Sequence, residues 1–194
     1  MKRTLSASLV LASVLSLGLA AQAAPRTVTD PKAPRALAAE GPVSVSWSDP
    51  STFSEVKQSR NRFEAERGNW VQQLAEYVRS RAAKSLAPGQ TLQVTLLDIK
   101  RAGDYEPWRG PGASDVRILR DIYPPRISLQ YELKGSNGQV LDSGQADLRN
   151  TGYLQTSPRL QSSSDPLRYE KGLIDDWVRR LTAQQPGRAR PYGR

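Results

Sequence analysis

The side chains with chemistry to offer gather in one stretch. Asp98, Asp104, Glu106 and Asp115 bracket the segment RAGDYEPWRGPGASD, residues 101–115. Two carboxylates held roughly 5–9.5 Å apart can hydrolyse a glycosidic bond, and clustered carboxylates can hold a hard cation, although nothing in this spacing resembles a calcium loop. The plainer reading, favoured by the residue types, is a solvated loop whose acids pair with Arg101, Arg109 and Arg117.

Three further groups stand out. Trp108 and Arg109 precede a glycine, an arrangement that can stack on a sugar or a base. An aromatic of that size more often tucks against the core, and that placement is expected here. Arg117, Arg120 and Arg126 could form a cationic strip for an anionic ligand, or pair with Asp115 and Asp121 for roughly 0–1 kcal/mol per exposed pair. Arg168, Tyr169, Glu170 and Lys171 open the last apolar stretch; Arg168 and Lys171 are spaced to share a helix face. They are expected to dock that helix, with acids of the 101–115 loop as partners and Tyr169 in the core.

Other chemistry is excluded outright. The 194 residues include no His and no Cys. Ser-His-Asp and Cys-His catalysis, zinc sites built on those ligands, and disulfides are therefore all impossible. Neither a catalytic motif nor a cofactor-binding motif is present, so no cofactor is expected. Formal net charge is +9, with Arg the main contributor; a basic chain suits anionic lipids, acidic polymers or nucleic acid. The positive charge is dispersed and no nucleic-acid motif occurs, which disfavours the last.

The elements that must position these residues can be read from periodicity. Met1-Lys2-Arg3, an apolar run and Ala21-Gln22-Ala23 form a secretory signal peptide over 1–23, with cleavage after Ala23. The run is too short and too interrupted by serine for the roughly 20 residues of a membrane span. Residues 24–42, rich in Pro and Ala, read as a disordered leader, and 184–194 as a disordered basic tail. The domain, 43–183, opens with a strand at VSVSWS. A helix follows over about 61–86, capped by Asn61 with Glu64, weakened at Gly68, and apolar at Trp70, Leu74, Tyr77/Val78 and Ala82. TLQVTLLDIK is apolar on both faces and therefore central. Strand, helix and strand at this spacing predict parallel pairing.

After the loop, VRILRDI (116–122) is a strand candidate. Pro124-Pro125 then precedes RISLQYEL, whose alternation is the cleanest in the chain. The two prolines predict either a kink along one sheet edge, the reading preferred here, or a turn into a new strand. Asn137-Gly138 predicts a hairpin into VLDSGQADLR, with a bulge at Gly144. Asp165-Pro166 starts the last helix, which buries Leu173, Ile174, Trp177, Val178 and Leu181. Asp175–Arg179 and Asp176–Arg180 would pair on its outer side. The expected fold is a two-layer α+β sandwich: four or five mostly antiparallel strands in a mixed sheet, with two helices on one face.

Three segments carry a resemblance. DYEPWRG, DVRILRDIYPPRISLQYEL and SDPLRYEKGLIDDWVRRL resemble DUF3016, a family of exported bacterial proteins of unknown function, over residues 43–181 or so. The resemblance implies a single secreted or periplasmic domain and supplies no activity, cofactor or catalytic residue. Together these readings point to an exported, non-enzymatic binding or accessory module for an envelope partner or anionic envelope component. A carboxylate-based hydrolase acting on envelope glycan is the alternative. The binding candidates are Asp104, Glu106, Trp108, Arg109, Arg117, Arg120 and Arg168.

Overall fold

The computed structural model describes residues 27–110, 112–155 and 164–183. The expected signal peptide, the basic tail and most of the connector after residue 155 lie outside them. Strands β1 (Val43–Trp47) and β2 (Thr91–Lys100) pair in parallel, as the intervening helix predicts. β2 pairs antiparallel with β5 (Arg126–Lys134), and β5 with β6 (Val140–Arg149), giving the order β1-β2-β5-β6. A separate two-stranded piece joins β3 (Asp104–Tyr105) to β4 (Arg117–Ile118). The mixed four-stranded sheet with helices packed on it is the expected α+β sandwich.

The alternation in each strand dictates which face is covered. Val43, Val45 and Trp47, Leu92, Val94, Leu96 and Ile99, and Ile127, Leu129 and Leu133 all join one core. Burying each Leu- or Ile-sized side chain contributes roughly 1.5–3 kcal/mol. Helix α3 (Trp70–Ala83) packs on β1, and α4 (Arg168–Ala183) on β5, β6 and α3. Trp177 of α4 meets the Tyr131 ring edge-on at 5.7 Å. No helix among the described residues is long and apolar enough to cross a membrane.

Several local expectations are corrected. The long first helix is two: α2 (Arg62–Glu66) and α3, separated where Gly68 turns at φ +86°. Asn61 does cap α2, its Oδ1 accepting from Glu64 N at 3.1 Å. The β6 register shift falls at Leu141, opposite the Leu133–Lys134 step, and not at Gly144, which pairs regularly with Tyr131. VRILRDI is not a strand of the main sheet: only Arg117 and Ile118 pair, and they pair with β3. The chain then turns, Tyr123 N donating to Arg120 O at 2.8 Å, so no kinked edge strand exists. Pro124 and Pro125 are buried at the mouth of β5, where ladder pairing has not yet begun and no N–H is needed. Asp175 leaves its expected i,i+4 partner and instead accepts from Tyr77 OH at 2.9 Å and Arg81 Nε at 2.5 Å, joining α3 to α4. Asp176 pairs with Arg179, three residues on.

From residue 27 the leader lies against the domain. Val28 is buried and donates its N–H to Glu66 O, and Leu37 N donates to Val45 O. Trp47 N donates to Arg35 O, so the 35–37 stretch lies along the outer edge of β1.

Candidate functional site

β1 stops opposite Leu96, leaving the last residues of β2 without a strand on that side. A short helix, α1 (Ser54–Lys57), fills the gap. Asp98 caps it, accepting from Ser54 N and Ser54 Oγ at 2.6 Å each. This placement drives Glu55 into the interior with no exposure. There its carboxylate accepts from Arg101 N at 3.0 Å, Arg101 Nε and Lys100 Nζ at 3.2 Å each, and Arg117 Nη2. Burial pushes the Glu55 carboxyl up, but the charges of Arg117, Arg101 and Lys100 outweigh it and hold the group below the ordinary carboxylate range.

The opposite case lies nearby. Glu170 of α4 is also fully buried, and its Oε1 accepts the Ala102 N–H at 2.6 Å. Its Oε2 is buried with no hydrogen-bond partner among the described residues. Burial here prevails and raises the carboxyl above its usual range, with the Glu55 charge acting the same way.

From this anchor the chain runs out as an arm, residues 101–123. Gly103 is required at its root: φ is +79°, and an added Cβ would stand 2.7 Å from Ile118 O. Asp104 is buried and takes Arg60 Nη1 at 2.7 Å. Glu106, with no exposure, accepts from Arg120 Nη1 at 2.9 Å, from Arg109 Nε and from Tyr123 OH at 3.0 Å. The Arg120 hydrogen bond, followed by those of Arg109 and Tyr123, holds the Glu106 carboxyl down at about 2 despite burial. The Arg109 and Arg120 side chains are themselves about half exposed, 53% and 48%.

Trp108 does not tuck into the core. It stands 61% exposed on the 107–109 turn, and the Arg60 guanidinium lies 5.0 Å from its ring centroid and 5.7 Å from that of Tyr123. Phe63, Val116 and Ile122 are exposed too. Asn61 Nδ2 donates to Ser114 O and Asp115 Oδ1 at 2.9 Å each, tying the cap of α2 to the arm. Arg-plus-aromatic surfaces of this kind are the composition of binding hot spots.

Of the candidate residues, Asp104, Glu106, Trp108, Arg109 and Arg120 therefore come together. Arg117 belongs to the adjoining Glu55 cluster, with its guanidinium 4.7 Å from the Tyr105 ring centroid. Arg120 pairs with Glu106, not with Asp115 or Asp121. Arg126 is exposed at the start of β5, where its neighbours in register are Lys100 and Arg149. Arg168 meets no acid of the arm; it donates to Asp165 O at 3.0 Å and lies over Tyr169. Lys171 pairs with Asp165. The helix is docked by Glu170 instead. Asp98, Asp104, Glu106 and Asp115 are each committed to a cap, an arginine or an asparagine, so they do not form a pair of free acids facing one cleft. Sequence reasoning missed Glu55 and Arg60. A four-residue helix is too short to show periodicity, and Arg60 sits among polar residues with nothing to mark it.

The family model described as a protein of unknown function, DUF3016, matches residues 41–180. No curated protein matches the chain.

Proposed function

We propose that this chain, which belongs to the DUF3016 family of proteins of unknown function, is an exported, non-enzymatic binding module that takes an anionic glycan of the cell envelope on the Trp108 end of its arm. Export rests on the 1–23 signal-like segment. The observation that carries the binding reading is the inside-out charge order of the arm. Two of its four carboxylates, Asp104 and Glu106, are buried, while the arginines they hold, Arg60, Arg109 and Arg120, extend to the surface, with Arg60 over the ring of the exposed Trp108.

This order does two things. The buried acids fix the guanidinium groups, so less side-chain entropy is lost on binding. Each guanidinium spends one or two of its five N–H donors inward, leaving the others for carboxylate or sulfate oxygens. The open face of Trp108 supplies a platform for the apolar face of a sugar ring. The reading also fits the positive net charge of +9.

The test is retention of the chain lacking residues 1–23 on immobilised alginate at low and high salt, with dextran and anionic lipid vesicles as comparison surfaces. Salt-sensitive retention on alginate alone, lost in Trp108→Ala, is the expected result. Equal retention of Trp108→Ala, or binding to vesicles alone, overturns it.

A further inference from the structure

A second cleft lies beside the arm and shares no lining residue with the Trp108 face. Glu64 and Arg67 of the α2 end, Arg101, Tyr105 and Arg117 of the arm, and Pro166 before α4 line an open cleft of about 380 Å³. That volume suits a small metabolite.

Its cations are unequally committed. Arg117 is a fixed wall: Nη1 donates to Ala102 O and Gly103 O at 3.3 and 3.1 Å, and Nη2 to Glu55 and to Tyr105 OH. Arg101 is different. Its Nε is spent on Glu55 and its guanidinium lies 5.1 Å from the Trp70 ring centroid. The side chain is only 14% exposed, yet its two Nη groups have no hydrogen-bond acceptor among the described residues. A guanidinium held on both sides by a carboxylate and an aromatic ring, with its terminal fork unused, is prepared for a planar or tetrahedral oxoanion. Arg67, 68% exposed, supplies a second cation at the rim.

The local charge agrees. Glu55 faces Lys100, Arg101 and Arg117, while Asp104 takes Arg60 and shares Lys100. Those two carboxylates leave the cluster positive. The one acid lining the cleft is Glu64, and its Oε1 accepts from Arg67 Nη1 at 3.2 Å. Beside a bound oxoanion it would repel a second charge and accept a hydroxyl. A phosphate carried on a polyol satisfies both groups; a bare polyanion does not.

We infer that this cleft is a binding site for a phosphomonoester of a small hydroxylated molecule, held by the Arg101 fork and Arg67, with a ligand hydroxyl on Glu64. The experiment is calorimetric titration of the chain lacking residues 1–23 with inorganic phosphate, glucose 6-phosphate and glucose. Saturable one-to-one binding of both phosphates is expected, tighter for glucose 6-phosphate, with no binding of glucose. Arg67→Ala, a rim change that leaves the buried cluster intact, should weaken glucose 6-phosphate roughly tenfold, the loss of one charge-assisted hydrogen bond. Arg101→Gln should weaken it further. Competition by vesicles bearing anionic phospholipid would place the phosphate on a lipid headgroup, and binding that vesicles do not displace would place it on a soluble ligand. Absence of heat with both phosphates, equal binding of glucose, or an unchanged affinity in Arg67→Ala would overturn the inference. Polysaccharide retention at Trp108 is a separate readout, so the two readings fail independently.

Discussion

Glu170 Oε1 accepts the backbone N–H of Ala102 at 2.6 Å, a bond between the last helix and the root of the arm that joins residues 68 apart in sequence. Both residues are buried, and the second carboxyl oxygen has no partner among the described residues. The arm and α4 are thus joined by an acid whose protonated form is the better fit. Because burial raises the folded carboxyl above its unfolded value, its contribution to stability is full at low pH. It is lost as pH rises from the ordinary glutamate range through the higher folded value. Glu170→Gln keeps the acceptor for Ala102 without the charge. Its stability relative to the parent chain should therefore increase with pH across that window, read as denaturant midpoints at a series of pH values. A constant difference would count against a buried ionisable role for Glu170.

Glu55 has the opposite sign. Its folded carboxyl lies below the ordinary range, so its stabilisation is present above that range and disappears as pH falls toward the lower folded value. Glu55→Gln leaves Lys100, Arg101 and Arg117 without their common anion. We expect a loss of about 3–5 kcal/mol at neutral pH, the size seen when one member of a buried ion pair is removed. Equilibrium urea unfolding measures it.

Arg60→Ala removes the partner of buried Asp104 and the group beneath Trp108. The loss should be about 1–3 kcal/mol, set chiefly by the buried carboxylate left behind. Indole fluorescence anisotropy would fall on an accessible timescale as Trp108 gains freedom. Trp108→Ala, at an exposed position, should stay within about 0.5 kcal/mol of the parent chain.

Gly103→Ala tests the root of the arm. Gly68 and Gly103 both have positive φ, +86° and +79°, but an added Cβ meets nothing within 4 Å at Gly68 and the Ile118 carbonyl at 2.7 Å at Gly103. Alanine at Gly68 should cost about 1–2 kcal/mol from backbone conformation alone. At Gly103 the cost should be larger, because β4 must also move away. Comparing the two melting temperatures decides it.

The regular part of the fold was legible because its faces follow a period. β2 and β5 are core strands on alternation alone, and α4 on the spacing of Leu173, Ile174, Trp177, Val178 and Leu181. Irregular parts were not. Residues 116–122 have strand-forming side chains, yet Val116 and Ile122 are exposed, because the arm pairs in its own two-stranded ladder and not in the main sheet. The candidate site was half legible. Asp104, Glu106, Trp108, Arg109 and Arg120 stand out by type and proximity in the chain. Glu55 and Arg60 reach the arm from 44 to 62 residues away, a distance no local pattern encodes.

The leader residues lying against Val45 and Trp47 bear on assembly as well as on order. They occupy the hydrogen-bonding side of β1 over that stretch with the chain's own backbone. Among the described residues, β6 is the border of the four-stranded sheet with no strand beside it, and its register positions carry Asp142, Asp147 and Arg149. Were two copies to pair through β6, the four-stranded sheet of each would present its other border already partly covered by the 35–37 stretch, which disfavours continued strand addition.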